Sequence, residues 1–281
     1  MVGTLEHVAA GGCEVEVRTI GSGEPVICLH GLDGFLFCGD FLEKLGERVQ
    51  VIAPVLPGWR EEGRAAHVTT VDDLSFVVLD LLDRYSADGG PVHLRGCSIG
   101  AWGAAEAAAR SPSSVASLTL VSPLGVKSGG RSDRAFVDLY ATAAGDVRDA
   151  SYGDPDKAPD LASLDADGFR ELAMAQEAVA RFGWEPYLHN PKLVHRLSRL
   201  DMPCLVVGGA EERFVLEPDY LRAWAGAIGA NASVEQLAGV GHRVEEEAPD
   251  RLVDLVARFL RSDGRTDDAD ERVEVSTSGG A

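Results

Sequence analysis

Short strand-like runs that alternate with stretches of helical periodicity constrain the fold of this chain more than any other feature. A continuous apolar run of about four to eight residues bounded by turn residues is typical of a strand buried on both faces of a sheet. Strands are predicted in this way over 25–31, 49–58, 91–96, 115–123, 202–209 and 233–239. Because parallel strands need a crossover, usually a helix, the order predicts an α/β fold with helices on both faces of a mostly parallel sheet.

The remaining elements of this pattern are one more strand and four helices. Residues 13–20 alternate apolar and polar side chains, as a half-buried strand does. Apolar residues recur at helical spacing in four segments: 70–85, 99–111, about 217–228 and about 247–261. Thr70 precedes the first of these segments and is placed to act as its N-cap.

The alternation breaks between residues 127 and 200, where a helical block contains no convincing strand. Open α/β sheets bind ligands at the carboxyl ends of their strands, so an insertion lying there is expected to cover the site. The segment after residue 262 is polar, charged and rich in Gly and Ser, which predicts disorder. We therefore expect a core, an inserted helical cap and a disordered tail, with these boundaries: core 1–126 and 200–262, cap 127–199, tail 263–281.

Charge and cysteine content limit the partners and the compartment. The net charge of −19 would repel the phosphates of nucleic acid and does not favour an anionic membrane surface. An odd number of irregularly spaced cysteines indicates reduced thiols in a cytoplasmic protein; they are Cys13, Cys28, Cys38, Cys97 and Cys204. No secretory signal and no membrane-length apolar run is visible. The expected partner is a small-molecule substrate.

The segment with the strongest indication of chemistry is "LRGCSIGAW", in which Ser98 lies between Gly96 and Gly100 at the spacing G-x-S-x-G. A predicted strand precedes it and a predicted helix follows. A sharp strand-to-helix turn of this kind exposes a serine hydroxyl at the end of a sheet, beside a helix N-terminus. The serine could instead be a plain helix N-cap, since Ser is favoured there.

A nucleophilic serine needs a base and donors for the oxyanion, and two other segments can supply them. The loop His30-Gly31 follows a predicted buried strand, so the backbone N–H of Leu32 can lie beside the serine. The backbone N–H of Ile99, directly after the nucleophile, is the second predicted oxyanion donor. His242, on a Gly-rich loop before the last helix, is the candidate base.

On these motifs the chain resembles the α/β-hydrolase superfamily over residues 13 to 262. The matching segments are His30-Gly31, the "LPG" loop at 56–58, the elbow at 96–100, the strand "PCLVVGG" with acids after it, and Gly241-His242. The resemblance is greatest to the branch with a helical cap, which includes esterases, meta-cleavage-product C–C hydrolases and cofactor-free haloperoxidases. It implies an α/β-hydrolase fold with an eight-stranded-type sheet and a helical cap insertion.

The resemblance also implies a third catalytic residue, a carboxylate a few residues past the seventh strand. The family usually has Asp there, whereas this chain reads "GGAEERFV". Counting from Gly209, Glu212 occupies the expected position, with Glu211 as its rival. Either carboxylate can hold the tautomer of a histidine and stabilise its imidazolium form.

The residues around the nucleophile narrow the reaction further. Epoxide hydrolases and haloalkane dehalogenases of this fold use Asp at the elbow, so Ser98 argues against both. C–C hydrolases often have Trp directly after the catalytic His. This chain has Arg243 at that position, which argues against a C–C hydrolase without excluding it.

The predicted function is a serine hydrolase that forms an acyl-enzyme with an ester or related carbonyl of a small to medium, largely apolar substrate. No cofactor and no metal are expected, and two subunits could pair as a homodimer through a sheet edge or the cap. The alternatives are a C–C hydrolase or non-hydrolytic biosynthetic enzyme on the same fold, and a non-catalytic binding protein.

Several residues near these motifs are interpreted as structural. His30 is expected to support its loop by hydrogen bonding, and Asp33 to stabilise the turn that follows. Cys97 is expected to be packed beneath the elbow. The acids at 245–247 are expected to form a solvated first turn of the last helix, where negative charge suits the helix dipole.

Overall fold

The computed structural model describes residues 3–61, 65–86, 89–130 and 133–262. Eight strands in this part of the chain form one sheet. The order across the sheet is β1-β2-β4-β3-β5-β6-β7-β8. The strands are β1 (Thr4–Ala10), β2 (Cys13–Ile20), β3 (Pro25–Leu29), β4 (Gln50–Pro54), β5 (Val92–Cys97), β6 (Val115–Val121), β7 (Cys204–Gly209) and β8 (Ala232–Leu237).

The sheet is parallel from β4 through β8 and antiparallel only where β1 pairs with β2 and β2 with β4. This confirms the predicted α/β-hydrolase fold with a mostly parallel, eight-stranded sheet. The sequence did not predict β1, because its residues are mostly exposed and show no apolar run.

The described part of the chain contains eight α-helices, and helices lie on both faces of the sheet. They are α1 (Gly39–Gly46), α2 (Val71–Tyr85), α3 (Ile99–Arg110), α4 (Ala144–Ser151), α5 (Ala166–Gly183), α6 (Tyr220–Ile228), α7 (Val244–Glu247) and α8 (Pro249–Arg261). Buried side chains of α2, α3 and α6 belong to one apolar cluster, and those of α1 and α8 to a second. Successive residues of β3 alternate between the clusters, as a strand covered on both faces requires.

The helix starts follow local rules. Thr70 caps α2 as predicted: its hydroxyl accepts from the backbone N–H of Asp73, and the Asp73 carboxylate accepts from the backbone of Thr70. Helix α1 was not predicted, because its eight residues are too few for a clear helical periodicity. No helix within the described ranges combines the length and the apolar character that crossing a bilayer demands.

Helices α4 and α5 belong to the segment between β6 and β7, two strands that lie side by side in the sheet. We call residues 127–199 the inserted segment. Helix α5 packs on the core through Phe182, whose ring stacks on Trp59 with centroids 5.5 Å apart. The segment also bonds back through Gly125, which exchanges backbone hydrogen bonds with Leu188 and Asn190. The tail at 263–281, predicted to be disordered, lies outside the described residues.

Candidate active site

The turn between β5 and α3 is tight enough to require glycine on both sides of Ser98. Strand β5 ends at Cys97 and α3 begins at Ile99, so one residue makes the whole turn, with φ 52° and ψ −114°. A Cβ added to Gly96 would lie 2.4 Å from the carbonyl oxygen of Gly100, and one added to Gly100 would lie 2.3 Å from that of His30. The turn therefore holds a non-glycine residue at positive φ, which is a strained geometry.

The hydroxyl of Ser98 points to a histidine and not to the helix it precedes. Its Oγ lies 3.0 Å from Nε2 of His242, and its side chain makes no capping hydrogen bond to α3. A serine whose main role was to cap the helix would accept from the backbone at the second or third helical residue. This geometry is the one expected of a serine nucleophile beside its base.

His242 is oriented from its other side by Glu212. Its Nδ1 lies 2.7 Å from Oε2 of Glu212, while Oε1 of the same carboxylate accepts from the backbone N–H groups of Phe214 and Val215. The acceptor at Nδ1 makes Nδ1 the protonated nitrogen, so Nε2 is free to accept the proton of Ser98. Glu211, the rival acid, is exposed, and its backbone N–H donates to Val240.

The inserted segment holds the histidine loop in place. The carbonyl oxygen of Ser151 accepts from the backbone N–H groups of His242 and Arg243, at 2.8 and 3.2 Å. The carboxylate of Glu247 accepts from the backbone N–H groups of Gly153 and Gly241, and so ties the two loops together. Sequence reasoning missed this contact, although the Gly/Asp/Pro-rich patch at 151–160 was the available signal.

The loop after β3 is fixed by His30. Its Nδ1 donates to the carbonyl of Gly31, at 2.9 Å, and its Nε2 accepts from the backbone N–H of Leu56, at 3.0 Å. Burial lowers the pKa of His30 to about 4, so the ring stays neutral at neutral pH. This confirms the predicted supporting role of His30.

The two predicted oxyanion donors lie on either side of the nucleophile, one at the start of α3 and one on the loop after β3. The carbonyl of Leu32 accepts from Nε1 of Trp59 at 2.9 Å, which fixes the peptide group that follows Leu32. Neither the N–H of Leu32 nor that of Ile99 has an acceptor among the described residues. Their role in binding an oxyanion stays a prediction.

Ser98 and His242 are almost fully buried, with 3% and 1% of their surface exposed. They line a cavity of about 20 Å³, which is enough for about one water molecule. Its other lining residues are mostly polar or charged and include Asp33, Cys38, Cys97, Arg243, Glu245 and Glu246. Cys97 is buried, as expected, but it borders this cavity as well.

Arg243 occupies the position directly after the histidine and pairs with two carboxylates. Its Nη1 lies 2.7 Å from the carboxylate of Asp33 and 3.6 Å from that of Glu246. Glu246 also accepts from the hydroxyl of Tyr152. Burial raises the pKa of Glu246 to about 7, although Arg243 opposes the shift. Asp33 therefore does more than stabilise its own turn: it anchors Arg243 across the site.

The expectation that residues 245–247 form a solvated turn was wrong. Glu245 and Glu247 are 6% and 7% exposed, because α7 packs against the core and each carboxylate finds a buried partner. Glu245 forms an ion pair with Arg95 of β5, below the nucleophile. Burial alone would lower the pKa of Arg95, but Glu245 raises it above its ordinary value, so Arg95 stays charged. A basic residue inside the apolar run 91–96 was the signal for this pair.

The five cysteines are buried and form no disulfide. Burial raises the pKa of the Cys97 thiol well above its usual range and that of Cys28 to about 12, so neither is a thiolate at neutral pH. Within the described part of the chain, no group of three or more His, Cys, Asp or Glu side chains is arranged to hold a metal ion.

A mostly parallel sheet of eight strands, with a serine elbow after β5 and a histidine loop after β8, defines a class of protein. The chain belongs to the alpha/beta hydrolase family, whose pattern matches residues 26–255.

The chain is also similar to individual members of known function. It is 28% identical to a hydrolase of Burkholderia vietnamiensis named for 2-hydroxy-6-oxononadienedioate and 2-hydroxy-6-oxononatrienedioate, over 91% of this chain and 94% of the relative. It is 28% identical over 85% of its length to the acetyltransferase component of an acetoin cleaving system of Pseudomonas putida, and spans 64% of that relative. A meta-cleavage product hydrolase from Pseudomonas fluorescens IP01 has the same fold, with TM-score 0.72 and 19% identity over 92% of this chain and 97% of that one.

Proposed function

We propose that the chain is a serine hydrolase that cleaves an ester or related carbonyl through an acyl-enzyme. The observation that carries the proposal is the hydrogen-bonded series from Ser98 through His242 to Glu212, with distances of 3.0 and 2.7 Å. A serine, a base and an orienting carboxylate within hydrogen-bond reach are the arrangement that activates a hydroxyl nucleophile.

The first half of the reaction forms a bond between Ser98 Oγ and the carbonyl carbon. His242 Nε2 takes the hydroxyl proton as this bond forms, and the carbonyl oxygen becomes an oxyanion. The backbone N–H groups of Leu32 and Ile99 donate to this oxyanion. When the intermediate collapses, the bond to the leaving group breaks and the imidazolium returns the proton to it.

The second half repeats these steps with water as the nucleophile. His242 removes a proton from water, whose oxygen attacks the acyl carbon, and the same proton returns to Ser98 Oγ as the acid departs. Glu212 stabilises the imidazolium that forms in each half. Removal of one oxyanion donor typically costs about 10²- to 10³-fold in rate, so fixing the Gly31–Leu32 peptide through His30 is part of the mechanism.

The proposed substrate is an ester of small to medium size and largely apolar character. Residues 127–199 are proposed to act as the cap, and their buried side chains, such as Ala178, Val179, Phe182 and Leu188, are apolar. The cavity at Ser98 holds about one water molecule, so an acyl group enters only when covering side chains are displaced.

Intact-protein mass after incubation with a fluorophosphonate tests the nucleophile. The expected result is one phosphonyl adduct on the wild type and none on Ser98→Ala. A serine in water does not react at a useful rate, so an adduct that depends on Ser98 reports activation by His242. A wild type that stays unlabelled while its esters are not hydrolysed would remove the proposed function.

A second candidate is hydrolysis of a carbon–carbon bond in a vinylogous dienoate. The similarity to the Burkholderia vietnamiensis hydrolase favours it, since that relative is matched over nearly its full length. Arg243 stands where C–C hydrolases often have Trp, which counts against it. Steady-state rates on a meta-cleavage dienoate and on 4-nitrophenyl butyrate separate the two: a C–C hydrolase cleaves the dienoate and shows little activity on the simple ester.

A further inference from the structure

The guanidinium of Arg243 borders the same small cavity as Ser98 and is only partly used by the protein. Its two ion contacts, to Asp33 and Glu246, are both made through Nη1. Its Nε is buried and has no hydrogen-bond partner among the described residues. A buried donor without a partner is costly, about 1–3 kcal/mol, and such groups are found where a ligand or a catalytic step supplies the partner.

The edge of the guanidinium that carries the unpartnered Nε is suited to a substrate oxygen. Nε–H and one N–H of Nη2 lie side by side on that edge and point in the same direction, so they can bind one or two acceptors. Arg243 and Ser98 line one cavity of about 20 Å³. An acceptor bound by this edge therefore belongs to the same molecule whose carbonyl is attacked.

The charges around Arg243 decide which acceptor fits. Asp33 already balances the guanidinium, at 2.7 Å, and Glu246 adds a second carboxyl group at 3.6 Å. The other buried carboxylate of the cavity, Glu245, is balanced by Arg95. The site has no net positive charge, so a substrate carboxylate would meet Asp33 with no unpaired cation to offset the repulsion. A neutral oxygen needs only the unpartnered Nε–H.

A second cavity gives the substrate room beyond this point. Asp33 and Gly34 line both the cavity at Ser98 and an adjoining cavity of about 50 Å³, which is bordered by Phe35, Trp59 and Arg60. A chain that passes the guanidinium can extend into this space.

We propose that Arg243 determines specificity by donating from its Nε–Nη2 edge to a neutral oxygen of the substrate, such as an ether, hydroxyl or carbonyl, close to the scissile carbonyl. The inference rests on the proposed serine hydrolase function and extends it: the preferred ester carries a second, uncharged oxygen near the reacting one.

Matched esters that differ by one atom test this. 4-Nitrophenyl methoxyacetate and 4-nitrophenyl butyrate differ by an oxygen in place of one methylene of the acyl chain, and 2-methoxyethyl acetate and butyl acetate extend the comparison to the alcohol. The quantity to measure is the ratio of kcat/KM within each pair, normalised to the spontaneous hydrolysis rates. The enzymes are the wild type, Arg243→Met, Arg243→Lys and, as a matched control, Arg251→Met, whose arginine is exposed and donates to the carbonyl of Ala238.

The wild type is expected to favour the oxygen-bearing ester of at least one pair. Arg243→Met should reduce that ratio about 10- to 100-fold, the usual range for a hydrogen bond to a charged donor, while Arg251→Met leaves it unchanged. Arg243→Lys keeps the charge beside Asp33 but lacks the two-donor edge. Its kcat/KM ratio for the ester pair should therefore be less than a tenth of the wild-type ratio. Because Arg243→Met leaves Asp33 unpaired, Arg243→Met combined with Asp33→Asn provides a folded, charge-balanced version of the same test.

Three results would overturn the inference. A preference that survives in Arg243→Met, in an enzyme that still hydrolyses the butyrate ester, rejects the role of Arg243 and leaves the proposed function intact. A wild type that prefers 4-nitrophenyl hydrogen succinate over its neutral methyl ester rejects the neutral oxygen in favour of a carboxylate. A wild type that hydrolyses no ester and takes up no fluorophosphonate removes the proposed function, and this inference with it.

Discussion

His242 and Arg243 are adjacent in sequence, yet their side chains enter two different charge networks. On the first side, which we call the acid side, the imidazole of His242 lies between Ser98 and the carboxylate of Glu212. On the second side, which we call the arginine side, the guanidinium of Arg243 lies between Asp33 and Glu246. The buried pair of Arg95 and Glu245 borders the same cavity through Glu245 and belongs to this side.

The two sides differ in how much buried charge they contain. The acid side has one carboxylate, Glu212, and that side chain keeps 21% of its surface exposed. The arginine side has two guanidinium ions, Arg243 and Arg95, each paired inside the protein. Buried charges stabilise a fold only while both partners are present. Variants on the acid side should therefore cost rate with little loss of stability, and variants on the arginine side should cost stability or change specificity.

The largest expected effect is on the acid side. Glu212→Gln keeps the shape of the side chain but removes the charge that stabilises the imidazolium, so kcat/KM should fall about 10²- to 10⁴-fold. Glu211→Gln is the matched control, because Glu211 is exposed and its side chain does not contact His242. The measurement is kcat/KM on one ester together with the urea midpoint of each variant. Equal losses in the two variants, or a loss of folding in Glu212→Gln alone, would break the comparison.

The next effect lies on the arginine side, at the buried pair of Arg95 and Glu245. Glu245→Gln leaves the guanidinium in a site where its Nε and Nη2 already lack partners among the described residues, so the free energy of unfolding should fall by about 3–5 kcal/mol. The double variant Arg95→Met, Glu245→Leu removes both charges and should recover much of the loss. Urea unfolding measures both. A single variant as stable as the wild type would show that this pair is not needed for the fold.

Local patterns predicted most of the fold. Strands β3 to β7 and helices α2, α3 and α8 are long or apolar enough to be visible as periodicity, and the glycines around Ser98 indicate the turn between β5 and α3. Strand β1 and helix α1 were missed because they are short or mostly exposed, and their existence depends on contacts with β2 and with α8.

The two sides of the site were not equally predictable. Ser98 and His242 were predicted because a serine elbow and a Gly-His loop each carry a local pattern, and Glu212 was expected from the resemblance to α/β hydrolases. The structure brings the three side chains together. The arginine side joins Asp33 to Arg243 and Arg95 to Glu245, pairs separated by about 200 and 150 positions. No local pattern predicts such a contact, and hydropathy assigns charged residues to the surface. The acids at 245–247 were therefore interpreted as solvated.

The smallest of the three expected effects is a change of folding stability with pH, caused by Glu246 on the arginine side. Burial raises the pKa of Glu246 from 4.5 to about 7. Between these values the unfolded chain has released the proton of Glu246 and the folded chain still holds it, so stability falls as pH rises from about 4.5 to 7 and is constant above. The full shift corresponds to at most about 3 kcal/mol. In Glu246→Gln this slope should disappear.

The difference between wild type and Glu246→Gln isolates the effect, since His30 contributes an opposite slope to both proteins. The pKa of His30 is lowered to about 4, so protonation of the unfolded chain below about 6.5 destabilises the fold as pH falls. Urea midpoints of the two proteins at pH 5, 6, 7 and 8 give the difference directly. It should shift steadily in favour of the variant from pH 5 to 7 and stay constant from 7 to 8. A difference that does not change with pH would mean that Glu246 is ionised throughout this range. Each side would then contain an ionised carboxylate paired with its basic residue, and the contrast between the sides would be lost.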